Sequence, residues 1–204
     1  MKQRTKLTAA ERRASIVAAA IHLFSARGFR GVTTRELAKA CGVSEPVLYE
    51  HFADKQELYC AILEEACNDG DTVAMRIDEA FASNLEAPAF FRALAESIIK
   101  LLDKNPNYTR LILFSALEGH SLAELHFEHR MKPFYGMLTR RIRDYIAAGS
   151  LNPCDPSVAA RAFIGMVNQY VIFDLHFGFS IAKTSRKKVI NGMVDIFLNG
   201  VLKY

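Results

Sequence analysis

Four closely spaced helix-start signals in the first 60 residues constrain the fold more than any other feature. Three of them have a Thr or Asp followed three residues later by Glu, the pattern of a capping box: Thr8 with Glu11, Thr33 with Glu36, and Asp54 with Glu57. The fourth is Ser44, with Pro46 in the first helical turn, where the missing N–H is harmless. Gly28 and the turn around Gly42 supply helix stops. We predict helices over 8–27 and 33–40, a short one after Ser44, and one over 54–68.

The remainder of the chain also has helical rather than strand patterning. Period-2 alternation of apolar and polar residues is not sustained in any segment. Pro and Gly residues mark the breaks between five further helices, predicted over 88–104, 107–119, 124–148, 156–177 and 185–202. The expected fold class is therefore all-α, with about nine helices.

The composition favours a cytoplasmic globular protein. The sequence has no run of 18 uncharged apolar residues, so we expect no membrane span, and its basic start is not followed by a signal-peptide pattern. The four cysteines have no CxxC or CxxH spacing, so we expect reduced thiols and no metal site. With 204 residues, the chain fits one small and one larger domain.

The positive charge is concentrated at the N-terminus. Residues 1–55 contain ten Lys or Arg and five Asp or Glu, a net charge of +5. Residues 56–204 contain sixteen against seventeen, a net charge of −1. A small, strongly basic domain suits a polyanionic partner, because each neutralised phosphate releases counterions. A basic solvated surface is the alternative.

Two short helices joined by a three-residue turn at 41–43 have the spacing of a helix-turn-helix. The first helix would brace the second, which is small enough to enter the major groove of DNA. We assign the apolar residues of this segment to packing against helix 8–27: Leu37, Ala38, Val43, Leu48 and Phe52. A helical hairpin without a DNA-binding role is the alternative.

A set of residues in the same region resembles the signature of the TetR (tetracycline-repressor) family. The matching residues are Gly28, Phe29, Thr33, Leu37, Ala38, Gly42, Val43, Ser44, Leu48, Tyr49, His51, Phe52, Lys55 and Leu58. The match covers about 55 residues, roughly a quarter of the chain. The resemblance implies a DNA-binding domain over 1–53 and a helical ligand-binding and dimerisation domain over 54–204.

The residues expected to contact DNA fall into two groups. Those expected to hold backbone phosphates lie at a helix N-terminus or match phosphate-binding positions of the family: Thr33, Thr34, Tyr49, His51 and Lys55. Base readout is expected from Arg35 and from the start of the third helix, at Glu45, Pro46 and Val47. Ser44, the N-cap of that helix, is also expected to contact DNA. Arg suits guanine, Glu suits the cytosine amino group, and apolar side chains suit the thymine methyl.

The last two predicted helices, 156–177 and 185–202, are the candidates for a homodimer interface. Helix 156–177 has Ala159, Ala162, Phe163, Met166, Tyr170 and Phe173 along one face. The resemblance implies a four-helix interface at this place. The alternative is that both apolar faces belong to the intramolecular core.

The middle helices are expected to enclose a pocket for a small, mainly apolar or aromatic effector. The proposed lining residues are Phe91, Leu94, Ile98, Phe114, Leu117, Glu118, His120, Phe134, Met137, Phe163, Met166, Asn168 and Tyr170. No catalytic motif is visible, so we predict no enzyme activity and no cofactor, and we interpret Glu124, His126, Glu128 and His129 as solvated rather than metal-binding. The expected function is that of a ligand-responsive, operator-binding regulator, a repressor on the family's pattern. The alternative is a DNA-binding adaptor whose C-terminal domain binds a protein, and an activator role stays open.

Overall fold

Every secondary-structure element in the described residues is helical, as predicted. The computed structural model describes residues 8–68, 71–119, 121–179 and 184–200. The helices are α1 (Ala9–Arg27), α2 (Thr34–Cys41), α3 (Glu45–His51), α4 (Lys55–Asn68), α5 (Asp71–Ala82), α6 (Ala87–Lys104), α7 (Pro106–Leu117), α8 (Ser121–His126), α9 (Lys132–Ala147), α10 (Pro156–Tyr170) and α11 (Arg186–Gly200). The all-α fold with an N-terminal helix-turn-helix is thus confirmed.

Three details differ from the sequence-based prediction. The helix predicted over 124–148 begins at Ser121 and contains a π-helical segment, Phe127–Met131. The last turns of the predicted helix 156–177 are also π-helical, over Val171–His176. Helix α5 was not predicted, because its two ends are not both marked by a capping pair or by a Pro or Gly stop.

The helices group into two compact units that divide the chain differently from the predicted boundary at residue 53. Unit 1 comprises Met1–Asp69 and Asn107–Leu125, and unit 2 comprises Gly70–Pro106 and His126–Tyr204. The reason is packing. Leu58 and Ile62 of α4 and Leu111 of α7 are fully buried in the same core as the helix-turn-helix.

The start of unit 1 is organised by the predicted capping interactions. The Thr8 hydroxyl accepts from the Glu11 N–H at 3.2 Å, while the Glu11 carboxylate accepts from the Thr8 N–H at 2.8 Å. The residues that we assigned to packing are buried or half-buried: Leu37, Ala38, Val43, Leu48 and Phe52. Unit 1 is therefore a small helical domain with its own core.

Unit 2 is built around an aromatic cluster on α6, α10 and α11. Phe91 is fully buried, with its ring centroid 4.8 Å from Phe163 and 4.9 Å from Phe197. Two ion pairs at the rim join α6 to α11: Arg92 with Asp195 at 3.0 Å, and Asp103 with Arg186 at 2.6 Å.

The apolar face predicted for dimerisation on α10 belongs mostly to this core. Ala159, Phe163 and Tyr170 are buried within unit 2, so the intramolecular alternative is correct for them. A different face of α10 is exposed, with Val158 at 62% and Gly165 also at the surface.

Residues Pro156–His176 form the one stretch in the described part of the chain that is long and apolar enough to cross a membrane. The mean hydropathy of its best window is 1.2, and 39% of that window is buried. Its buried side chains, among them Ala160 and Val167, pack in the core of unit 2. A core helix of a globular bundle accounts for this composition.

Candidate nucleic-acid interface

The α2–α3 segment has the sharp turn that a helix-turn-helix requires. Gly42 follows α2 in the left-handed conformation, with a φ of 66°. Its N–H donates to the carbonyl of Lys39, and the Val43 N–H donates to the carbonyl of Ala38 at 3.0 Å. Glycine adopts this backbone without strain. The chain can therefore reverse within three residues and begin α3 at Glu45.

The first turn of α2 is fixed by the predicted capping box. The Glu36 N–H donates to the Thr33 hydroxyl at 3.2 Å, and the Thr33 N–H donates to the Glu36 carboxylate at 2.8 Å. Arg27 also donates to this carboxylate at 2.8 Å. The Thr33 hydrogen bond and then the Arg27 hydrogen bond lower the pKa of Glu36 from 4.5 to about 2.

The capping box leaves two backbone donors for a ligand. Within the described residues, the N–H groups of Thr34 and Arg35 have no hydrogen-bond acceptor. The Arg35 side chain is exposed beside them. A helix N-terminus with free N–H groups is a favourable place for a phosphate oxygen. The Thr33 hydroxyl, in contrast, is already engaged with Glu36.

The outer face of α3 is accessible, as a recognition helix requires. Pro46 is exposed, Glu45 and Val47 are half-buried, and Tyr49 is 47% exposed. Ser44 occupies the N-cap position, but its hydroxyl does not make the predicted capping bond, so its side-chain oxygen remains available at the surface.

The C-terminal end of α3 is held from α1. Arg13 donates to the backbone carbonyl of His51 at 2.9 Å, and its guanidinium lies 4.1 Å from the centre of the Phe52 ring. Glu57 is 3.6 Å from the same guanidinium. His51 itself is half-buried, and its predicted phosphate contact stays a prediction.

Lys55 is directed toward the protein itself. Its ammonium donates to the backbone carbonyls of Phe29 and Val32 and lies 4.3 Å from the centre of the Phe29 ring. Burial lowers the pKa of Lys55 from its ordinary value. An ammonium has three N–H donors, so these two carbonyls leave one for the predicted phosphate contact.

The residues predicted to line an effector pocket are divided between the two units. Those in or against the core of unit 2 are Phe91, Leu94, Ile98, Phe134, Phe163, Met166 and Tyr170. Met137, 42% exposed, and the half-buried Asn168 also belong to unit 2. Phe114, Leu117 and Glu118 belong to unit 1, where Leu117 is 85% exposed, and His120 lies outside the described residues. Pocket lining stays a prediction for all of these residues.

Sequence reasoning missed two contacts that the structure makes prominent: that of Arg13 with His51 and that of Glu118 with the loop after α1. Arg13 is 38 residues from His51, and Glu118 is 89 residues from Phe29, to whose N–H its carboxylate is hydrogen-bonded. Local spacing carries no signal for such partners. Phe197, which the sequence places on the apolar face of predicted helix 185–202, is buried in the core of unit 2 with Val194 and Ile190.

Comparison with protein families matches both parts of the chain. The family of bacterial regulatory proteins of the tetR type matches residues 16–62. The C-terminal domain of AefR-like transcriptional repressors matches residues 91–200, more than half of the chain.

Individual relatives match only part of the chain at moderate sequence identity. Nucleoid occlusion factor SlmA of Haemophilus influenzae is 32% identical over 136 residues, which are 65% of this chain and 59% of SlmA. The chain thus matches less than two thirds of the length of this relative.

Solved structures share the fold over nearly the whole chain. AibR in complex with isovaleryl coenzyme A and operator DNA has a TM-score of 0.71 at 22% identity, covering 92% of this chain and 98% of that one. FadR from Bacillus subtilis in complex with stearoyl-CoA has a TM-score of 0.68 at 16% identity, covering 93% and 99%. At these identities, the likeness establishes the fold.

Proposed function

The chain belongs to the TetR family of transcriptional regulators, and on that premise we propose that it is a ligand-released repressor acting on operator DNA. Members of this family are regulators and not enzymes, which confirms the absence of enzyme activity expected from the sequence. As a regulator of chromosomal genes, it would act in the cytoplasm.

The observation that carries the proposal is the accessible face of α3 together with the open N-terminus of α2, in one compact unit. Glu45, Pro46 and Val47 would meet base edges in the major groove, and Arg35 would contact an adjacent guanine. The backbone N–H groups at Thr34 would hold a phosphate. The net charge of +5 over residues 1–55 favours the encounter with DNA.

We further propose that two chains bind a palindromic operator. A single recognition helix covers about half a turn of groove, so dimers of such proteins read two half-sites. The exposed face of α10, with Val158, Ala162 and Gly165, and the 69% exposed Ile196 of α11 support a dimer through these helices. Small residues on α10 would allow close approach of the partner helix.

The proposed effector is a small molecule with a mainly apolar or aromatic part. The aromatic and aliphatic side chains around Phe91 and Phe163 in unit 2 provide suitable chemistry for such a ligand. The complexes of AibR with isovaleryl coenzyme A and of FadR with stearoyl-CoA support an acyl group as that part.

A second candidate function is that of a DNA-binding adaptor whose C-terminal domain binds a protein partner. The similarity to nucleoid occlusion factor SlmA over 136 residues favours it. The two candidates share the DNA-binding head and differ in what unit 2 binds.

The test begins with selection of bound duplexes from a genomic fragment library by the purified full chain. The selected duplex is then used in a binding assay with a panel of acyl-CoA thioesters. We expect selective binding of a palindromic fragment and its release by one of these ligands. Failure to bind any fragment at low ionic strength would contradict a DNA-binding role. Binding without release by any thioester would contradict the acyl effector and favour the adaptor.

A further inference from the structure

The loop between α1 and α2 determines where α2 begins, and it is held from two sides. From α4, the Lys55 ammonium donates to the carbonyls of Phe29 and Val32. On its other side, the loop has N–H groups that need acceptors. The proposed phosphate-binding N–H groups at the start of α2 follow Val32 within a few residues, so their position depends on this loop.

The acceptor for the loop N–H groups, those of Phe29 and Arg30, is Glu118, the residue that follows α7. Its carboxylate accepts the Phe29 N–H at 3.0 Å and the Arg30 N–H at 3.3 Å. One acidic side chain thus accepts hydrogen bonds from two consecutive backbone N–H groups. Hydrogen bonds to an ionised acceptor are about twice as strong as neutral ones.

The first residue of the loop is shaped for this contact. Gly28 has a φ of 71°, and a Cβ atom added there would lie 2.2 Å from the Glu118 carboxylate oxygen. The same Cβ would lie 3.1 Å from the Phe114 ring. The absence of a side chain at residue 28 is what allows the carboxylate to approach the loop.

Two further contacts fix α7 within unit 1. Arg110 donates to the backbone carbonyl of Ser25 at 2.7 Å, near the end of α1. Tyr59 donates to the backbone carbonyl of Leu111 at 3.0 Å. Glu118 is therefore presented to the loop by a helix that is itself attached to α1 and α4.

We propose that Glu118 is a positioning residue for operator binding: its carboxylate holds the α1–α2 loop and thereby the DNA-binding start of α2. This inference rests on the proposed DNA-binding function. It assigns Glu118 to the loop rather than to the effector pocket for which the sequence suggested it. Glu118 itself does not touch DNA in this proposal.

The negative charge of Glu118 makes it possible to distinguish a positioning role from a purely electrostatic one. A carboxylate near a DNA-binding surface repels phosphates, so its removal should tighten DNA binding if long-range electrostatics alone matters. Loss of the loop contact predicts the opposite, a weaker complex. A purely structural role predicts a lower melting temperature with an unchanged Kd for the folded protein.

The experiment measures the Kd of full-length variants for a duplex selected by the wild-type chain from a random-sequence library, at several salt concentrations. For Glu118→Ala we expect a Kd about tenfold higher, the equivalent of about one net hydrogen bond. The slope of log Kd against log salt should stay that of the wild type, because no phosphate contact is removed. Glu118→Gln retains an acceptor oxygen, so its Kd should lie between those of the wild type and of Glu118→Ala.

Glu124→Gln is the matched control, since it removes one exposed acidic charge from the same unit. It should leave the Kd unchanged or slightly lower it. Unchanged or tighter binding by folded Glu118→Ala would overturn the proposal. If Glu118→Ala does not fold, Glu118→Gln decides, and a Kd equal to that of Glu124→Gln overturns it. A wild-type chain that binds no duplex refutes the DNA-binding function itself.

Discussion

Glu36 is the residue on which the start of α2 depends, because its carboxylate bonds both the Thr33 backbone and the Arg27 guanidinium. These interactions favour the ionised form and lower the pKa of Glu36 to about 2 in the folded protein. A group with a lowered folded-state pKa contributes stability above its unfolded pKa, and the contribution is lost as the pH falls toward the folded value.

We therefore predict that Glu36→Gln lowers the free energy of unfolding at pH 7 but not near pH 2. The difference from the wild type should shrink between about pH 5 and pH 2. Denaturant unfolding at a series of pH values measures this difference. Glu124→Gln, at an exposed carboxylate with no hydrogen bond in the described part of the chain, is the control. A difference for Glu36→Gln that does not vary with pH would contradict the assignment.

Arg35 should determine sequence preference rather than general affinity for DNA. Its side chain is exposed in the first turn of α2, so Arg35→Ala should relax the preference at one base pair, at a cost of about 1–3 kcal/mol for the preferred base. Repeating the duplex selection with the variant measures this change.

Arg143→Ala, at an exposed arginine of α9, provides the charge-matched control and should keep the wild-type preference. An Arg35→Ala variant that selects the same sequence as the wild type would exclude base readout by Arg35.

For individual residues, the sequence predicts contacts between residues that are close together in the chain. The Thr33–Glu36 box is confirmed because N-cap and N3 are always three residues apart, whatever the rest of the fold does. Lys55 shows that contacts between residues far apart in the chain are not predicted in this way. Its position in the chain suggests a phosphate ligand, but its ammonium bonds carbonyls at residues 29 and 32, which only tertiary folding brings within reach.

The helix ends of unit 1 depend on two glycines that share a positive φ but differ in ψ, −180° at Gly28 and 30° at Gly42, and in their surroundings. Gly28 and Gly42 have φ values of 71° and 66°. A Cβ at residue 28 would collide with Glu118, whereas a Cβ at residue 42 would have no atom within 4 Å. Gly42→Ala should therefore report backbone strain alone.

We predict that Gly42→Ala destabilises the protein by about 1 kcal/mol and that Gly28→Ala costs more, because the φ/ψ pair of residue 28 is open almost only to glycine and the Glu118 carboxylate must also move away from the loop. Unfolding in urea measures both variants on the same scale. Equal losses for the two variants would contradict both the greater backbone strain and the Glu118 contact at residue 28.

Elements with marked ends were predicted well, and those without were not. Helices α1, α2 and α3 have a cap or a glycine stop, and their predicted bounds hold within one or two residues. Helix α5 lacks such marks and was missed. The π-helical turns at Phe127–Met131 and Val171–His176 were not predicted, because a single π-helical turn that continues an α-helix is rare and has no cap or breaker of its own in the sequence.

The whole molecule is proposed to work as a dimer, and α10 offers a direct test. Gly165 of α10 and Gly136 of α9 are both exposed glycines within helices, and a Cβ at either would have no atom of its own chain within 4 Å. In an isolated chain, replacing either glycine by Leu should stabilise the helix by about 0.5–1 kcal/mol.

We predict that Gly165→Leu weakens dimerisation, because the added side chain separates the two copies of α10, and that Gly136→Leu leaves it unchanged. Sedimentation equilibrium over a range of concentrations measures the dimer dissociation constant. A Gly165→Leu chain that dimerises as tightly as the wild type would exclude this face as the interface.

In the proposed complex, two copies of α3 enter successive major grooves of one duplex. Hydroxyl-radical footprinting of the selected fragment, combined with the stoichiometry of the complex, measures this directly. We expect a palindromic site with two protected half-sites centred about 10–10.5 base pairs apart, or a small multiple of that, and two chains or a multiple of two per duplex. One half-site protected by a single chain, or no protection at low ionic strength, would contradict it.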